Sequence, residues 1–279
     1  MAAAGPVARH YGSADIAGRV LAALRAANGA DAPVTPEVLA PIDHFHGRGV
    51  VATGELVALL QPQPGERVLD IGCGIGGPAR WIAARCGCHI TGVDLTPEFC
   101  EAARALNAAC GMSDRVTIIE GSALDLPLPD AGFDRAYSQN VIMNIEDKPR
   151  FYREAFRALR PGGVLALSNQ CAGSAGEPYF PVPWAATPAT SFLATPQEMR
   201  ADLLEAGFAI VSFRDTTDEL RPAVIRNRER LEREGLPPLS VHVISGERMR
   251  EMQINSARST EDGRLRSVEA LARKPAEAG

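Results

Sequence analysis

The run Asp70-Ile71-Gly72-Cys73-Gly74-Ile75-Gly76-Gly77-Pro78 holds the residue types best suited to bind a ligand. Val68 and Leu69 before it read as a buried strand, and Pro78 fits only the first turn of a helix, where no intrahelical N–H is needed. A strand, a glycine turn and a helix N-terminus let a ligand approach bare backbone N–H groups with no Cβ in the way. Gly72, Gly74 and Gly77 satisfy the dinucleotide pattern G-x-G-x-x-G. Asp70 argues against a dinucleotide, because a carboxylate at the strand's end would lie near the pyrophosphate and like charges repel more strongly when buried. A ligand with an ammonium group and no phosphate would instead be drawn to it. His44 and His46, on either side of Phe45, are the titratable groups nearest physiological pH and the candidate bases. Gln139 and Asn140 follow a predicted strand, at the end that faces the ligand crevice in parallel sheets.

The elements that must position these groups alternate regularly from Glu66 onward, the pattern of a doubly wound α/β sheet. Strands are predicted at Val68–Leu69, His89–Val93, Val116–Ile119, Phe133–Ser138, Val164–Ser168, Phe208–Phe213 and Leu265–Ala272. Helices are predicted after Thr96-Pro97, at Asp147–Leu159 and Pro196–Ala206, and in two polar segments near 219–234 and 246–260. Ahead of the sheet, Ile16, Val20, Leu21 and Leu24 mark one face of a helix with Ser13 as its N-cap and Asn28-Gly29 at its end. A short helix starts at Thr35-Pro36, and another runs from Val50 to Leu60 before a Pro-rich linker. We therefore expect an N-terminal helical cap over 1–60 and a core over 61–279, with lid insertions at 170–195 and 216–262. The first insertion carries Tyr179, Phe180, Trp184 and Phe192, which suit an apolar substrate wall.

Asp-Ile-Gly-Cys-Gly-Ile-Gly resembles the first motif of class I S-adenosylmethionine-dependent methyltransferases, whose cofactor combines a sulfonium, an amino-acid end and a ribose. The resemblance extends to Asp94, 22 positions after Gly72, and to Gly121-Ser122-Ala123, Leu126–Asp134 and Leu159-Arg-Pro-Gly-Gly163. Asp43-His-Phe-His-Gly47, Gly76-Gly-Pro-Ala-Arg80 and Gln139-Asn-Val-Ile-Met-Asn144 look like the subgroup around sarcosine/dimethylglycine N-methyltransferases and quinone-biosynthesis methyltransferases. The resemblance implies a Rossmann-like, mostly parallel seven-stranded sheet that binds S-adenosyl-L-methionine. It assigns Asp70, Gly72, Gly74, Gly76, Asp94, Leu95, Ser122, Ala123 and Gln139 to the cofactor, with Asp94 on the ribose hydroxyls. Ser122 stands where the family commonly has an acid on the adenine amine. Tyr11 is a candidate to close over the cofactor, and His44 and His46 are candidate catalytic groups.

Methyl transfer from a sulfonium is an in-line displacement, so positioning and exclusion of water carry most of the catalysis. A neutral hydroxyl or a carbon nucleophile needs a base, whereas a neutral amine does not. The acceptor atom, N, O or C of a small molecule, is open at this level. Two other functions are open as well: a non-catalytic protein that binds the cofactor for assembly or regulation, and a nicotinamide oxidoreductase using Gly72, Gly74 and Gly77. A net charge of −5 without a basic run argues against nucleic acid as a partner. No apolar run is long enough to span a bilayer, no metal site is expected, and homo-oligomerisation is open. The six cysteines lack disulfide-like spacing and, with no secretory signal in view, suggest reduced thiols in the cytoplasm.

Overall fold

Seven runs rich in Val, Ile, Leu and Ala form one sheet in the computed structural model, which describes residues 15–276 apart from 45 and 47. The strands are β1 (Arg67–Ile71), β2 (His89–Asp94), β3 (Val116–Glu120), β4 (Phe133–Gln139), β5 (Leu159–Ala172), β6 (Ala209–Asp215) and β7 (Leu265–Arg273). Their order across the sheet is β3-β2-β1-β4-β5-β7-β6. The first five are parallel, and β7 runs antiparallel between β5 and β6. The sheet is the doubly wound, mostly parallel one expected. β5 exceeds its expected five residues because it pairs with β7 from Val164 to Ala172.

Helices cover both faces. Before β1 come α1 (Ile16–Asn28), α2 (Pro36–Asp43) and α3 (Gly49–Leu60). Crossover helices α4 (Gly77–Cys86), α5 (Pro97–Ala109) and α6 (Lys148–Ala158) follow their strands, and α7 (Pro196–Glu205) precedes β6. Between β6 and β7 lie α8 (Thr217–Glu234), the single turn α9 (His242–Ser245) and α10 (Met249–Glu261). One face packs Phe151, Tyr152 and Ala155 of α6 and Leu203 of α7 on Leu69, Leu165 and Leu167. The other packs Leu56 and Leu60 of α3 and Ile82 of α4 on Val68, Ile90 and Ala166. Burying a Leu or Ile side chain contributes roughly 1.5–3 kcal/mol, so these two layers hold the sheet.

Helix α1 buries Ile16, Val20 and Leu24, the face read from the sequence, against Phe99 and Leu106 of α5 and Ile244 of α9. Its N-cap is Asp15, whose side chain accepts from the Gly18 amide at 3.1 Å. Ser13, the cap expected from the sequence, lies outside the described residues, and the cap falls on Asp15 because the helix starts at Ile16.

The sheet's organisation fixes where a ligand can sit. The chain leaves β1 toward β2 on one side, and β4 joins β1 on the other, so the connections at their carboxyl ends diverge. A crevice opens at such a switch point. Gly72 follows β1 there, and Gln139 ends β4.

Candidate active site

β1 delivers Asp70 to this crevice, and the following residues turn through three positive φ values: Gly72 at 86°, Gly74 at 54° and Gly76 at 77°. Glycine adopts such angles without steric cost. At Gly72 a Cβ would strike the side chain of Val141, and at Gly77 it would strike the backbone oxygen of Asp43. At Gly74 a Cβ would meet nothing within 4 Å, so the loop leaves open space there. Gly76 is absent from the cavity lining; it caps α4 and lies against Arg80.

Asp94, at the end of β2, ties the loop down. Its Oδ2 accepts from the Gly74 amide at 2.8 Å and its Oδ1 from the Thr96 amide at 2.9 Å. Each carboxylate oxygen keeps a further lone pair for a ligand hydroxyl. Burial raises the Asp94 carboxyl, while the amides of Thr96 and Gly74 oppose the rise. Asp70 accepts from the buried Tyr137 hydroxyl at 2.7 Å. Burial pushes its carboxyl up to about 7 despite that bond, and Asp94 adds to the effect. Such a carboxyl has a standing need for a cation.

A single cavity of about 410 Å³ joins these residues to the rest of the site. Asp70, Gly72, Gly74, Asp94, Leu95, Ser122, Ala123 and Gln139 all line it. The Ser122 hydroxyl accepts from the Leu124 amide at 3.1 Å, which leaves its own proton to donate. Cys73 also lines the cavity, but burial raises its thiol well above the usual range, so no thiolate nucleophile is present there.

The two histidines separate. His46 lines the cavity, and His44 does not. The His44 side chain is buried at 1 % exposure, and its Nδ1 lies 2.9 Å from Thr53 Oγ1 of α3. His46 Nε2 lies 3.3 Å from the same oxygen, whose single proton is directed to Gln139 Oε1 at 3.4 Å. With the Thr53 proton on Gln139, His46 donates from Nε2, and its Nδ1, which accepts no hydrogen bond, carries the lone pair. Burial lowers both histidines, His46 to about 3, so each is neutral near pH 7. Tyr11 lies outside the described residues.

Arg80 and the inward-facing residues of the 216–262 lid were not singled out in the sequence. Arg80, fully buried on α4, donates to Asp43 Oδ2 at 2.9 Å and to Asn107 Oδ1 at 2.8 Å, and so anchors the end of α2 on the glycine loop. The signal was an arginine between Ala79 and Trp81 in an otherwise apolar helix face. The cavity's far wall comes from Trp184, from Leu220, Ala223, Val224 and Asn227 of α8, and from Met249, Gln253, Ser256, Ala257 and Thr260 of α10. Those positions recur at helical spacing, a pattern visible in the sequence. Of the four aromatics in 170–195, only Trp184 reaches the cavity. Asn144 holds it there by donating to the Trp184 carbonyl at 2.8 Å and the Thr190 carbonyl at 3.1 Å.

With this geometry in hand, the chain can be set beside known proteins. Residues 69–167 match the profile of the methyltransferase domain family. The chain carries a class I S-adenosylmethionine-dependent methyltransferase domain. Phosphoethanolamine N-methyltransferase 1 of Arabidopsis thaliana is 31% identical over 208 residues, which span 69% of this chain and 40% of that protein. O-methyltransferase resE of Aspergillus sclerotiorum is 32% identical over 175 residues, 61% of this chain and 65% of that protein. The chain thus spans less than two thirds of the length of either curated relative. In fold, it superposes on geranyl diphosphate C-methyltransferase of Streptomyces coelicolor with a TM-score of 0.69 at 18% identity, covering 98% of this chain and all of that one. S-adenosyl-L-methionine is the cofactor of this class, and the open space at Gly74, the carboxylate on Asp94 and the raised Asp70 fit a ligand with a ribose and an ammonium group.

Proposed function

We propose that this chain transfers a methyl group from S-adenosyl-L-methionine to an N, O or C nucleophile of a small-molecule acceptor. One observation carries the reading: a single cavity runs from the glycine loop and Asp94 to the wall of Trp184, α8 and α10. Cofactor and acceptor can therefore meet away from bulk water, as a displacement at a methyl group requires.

In this reading Asp70 faces the ammonium of the methionine end, the loop of Gly72 and Gly74 gives the backbone room, Gly76 turns the chain into α4 behind it, and Asp94 accepts from the ribose hydroxyls. Leu95, Ser122 and Ala123 border the adenine, with Gln139 near the methionine end. When bound, the cofactor supplies an electrophilic methyl on a cationic sulfur. His46 Nδ1 takes the proton of a hydroxyl acceptor. Even a weakly basic imidazole suffices, because the hydroxyl proton becomes strongly acidic as the oxygen gains its third bond, to the methyl carbon, and the sulfur leaves as a neutral thioether. His44 holds Thr53, and through it His46, in place. Residues 1–60 act as a cap on the core of 61–279, and 170–195 with 216–262 act as the lid. Among the described residues no helix is long and apolar enough to cross a membrane. We take the site of action to be the cytoplasm.

The test is incubation of the purified chain with methyl-labelled cofactor and a metabolite extract. Label in a small molecule, matched by S-adenosylhomocysteine, is the expected result. Tight cofactor binding with no transfer to any fraction would favour a binding protein, and binding of NADH in its place would favour an oxidoreductase.

A further inference from the structure

The two ends of the cavity differ in chemistry, and the difference selects the acceptor. Near the glycine loop stand Asp70 and Asp94, together with Asp43, whose charge is matched by Arg80, and Glu269 of β7 adds a further carboxylate toward the far wall. Arg48 is the one Lys or Arg among the described lining residues, and it is committed to Glu55 through both guanidinium nitrogens. A phosphate group brings a charge of roughly −1.5 to −2 at neutral pH and is held elsewhere by Arg clusters or uncapped helix N-termini. At the start of α8 the Thr217 amide is taken by a carboxylate, Asp215 Oδ1, at 2.9 Å, and Asp218 and Glu219 add acidic charge to the first turn. An anion entering this chamber would meet like charge in a partly dry space.

The far wall is apolar in its larger part: Trp184, Leu220, Val224, Val241, Met249 and Ala257. Polar side chains such as Asn227, Gln253, Ser256 and Thr260 also face it, and beside them lie two buried polar atoms without a partner. Asn169, 3 % exposed at the end of β5, has an unpartnered Nδ2, and Gln170 beside it has an unpartnered Oε1. Buried donors and acceptors of this kind need a partner, and an orphan costs about 1–3 kcal/mol. A hydroxyl can accept from one and donate to the other; a carbonyl can accept from the first. A cationic acceptor, in contrast, would share the chamber with the cofactor's sulfonium.

We infer that the acceptor is an uncharged, predominantly apolar molecule bearing a hydroxyl or carbonyl group, and that phosphorylated acceptors are excluded. The inference rests on the methyltransferase reading above and names the acceptor class for the same site.

Three probes with one apolar chain and different heads test it: geraniol, geranylamine and geranyl diphosphate. Each is titrated calorimetrically into the full chain saturated with sinefungin, an S-adenosylhomocysteine analogue that carries a cationic amine where the cofactor has its sulfonium. Geraniol should bind at least tenfold more tightly than either charged probe. Equal or tighter binding of geranyl diphosphate or of geranylamine overturns the inference, as does failure of geraniol to bind at its solubility limit. Failure of sinefungin itself to bind overturns the methyltransferase reading and the inference with it. Trp184→Ala should weaken geraniol at least fivefold with sinefungin affinity unchanged. Because Trp184 is buried, Val224→Arg on α8 serves as a second variant, and it should move the preference toward the diphosphate. A preference unmoved by Val224→Arg in a variant that still binds sinefungin would show that the probe does not occupy this chamber and would overturn the assignment.

Discussion

Lowering the pH should weaken cofactor binding through Asp70. Burial raises this carboxyl from an ordinary 3.8 to about 7, with the Tyr137 hydroxyl pulling the other way and Asp94 adding to the rise. If the ionised form holds the ammonium, the apparent dissociation constant is the intrinsic one divided by the ionised fraction. That fraction is roughly one half at pH 7 and roughly one tenth at pH 6, so affinity should fall about fivefold over the interval. Asp70→Asn removes a charge-assisted bond of about 1.5–3 kcal/mol, so the variant should bind roughly ten- to a hundredfold more weakly and lose the pH dependence. Stability of the ligand-free protein supplies the sign check. The folded carboxyl holds its proton more tightly than the unfolded one, so its contribution is fully present below about pH 3.8 and is lost as pH rises to about 7. The full change is of order 4 kcal/mol by the conversion of about 1.36 kcal/mol per pH unit. Asp70→Asn should therefore raise the Tm of the ligand-free protein at pH 8 while it weakens the cofactor. Calorimetry at pH 6 and 7 in buffers of different ionisation enthalpy measures both the affinity and the proton released on binding. Equal wild-type affinity at the two pH values would refute the reasoning, as would an unaltered slope in the variant. The variant comparison matters because burial raises Asp94 in the same direction.

Three further outcomes are expected. Asp94→Ala removes the acceptor for the ribose and the tether of the Gly74 amide, and should weaken S-adenosylmethionine at least about tenfold by calorimetric titration. His46→Ala should cut turnover of a hydroxyl acceptor by roughly 10²-fold or more with cofactor affinity nearly unchanged, whereas His44→Ala should show mainly as a lower Tm; equal turnover losses in the two would mean that the structure's separation of the pair has no catalytic meaning. Arg80→Met leaves the Asp43 carboxylate buried and unpaired and should cost about 3–5 kcal/mol in urea unfolding, and adding Asp43→Asn should recover part of that loss.

What was legible in the sequence was governed by local rules. Strand alternation, the prolines at helix starts and the glycine turn depend on neighbours along the chain, so Asp70 and Asp94 could be placed at strand ends before any contact was known. The division between His44 and His46 could not, because it is decided by Thr53, seven and nine residues away on another helix. The Asp43–Arg80 pair was hidden for the same reason: neither residue has an ion partner within its own helix, and only the approach of α2 to Gly77 brings them together. The far wall was legible as a helical lid over 216–262, but not the residues it turns inward. Helices α8 and α10 are polar along most of their surface, and the stripe they turn inward is made of small residues such as Ala223, Ser256 and Ala257. Small side chains give a weak hydrophobic signal, yet they are what a wall must be made of if room is to remain beside it for an acceptor. The same physics that keeps the chamber open thus kept the inward residues of α8 and α10 out of the sequence reading, whereas the four lid aromatics were conspicuous and of them only Trp184 reaches the cavity.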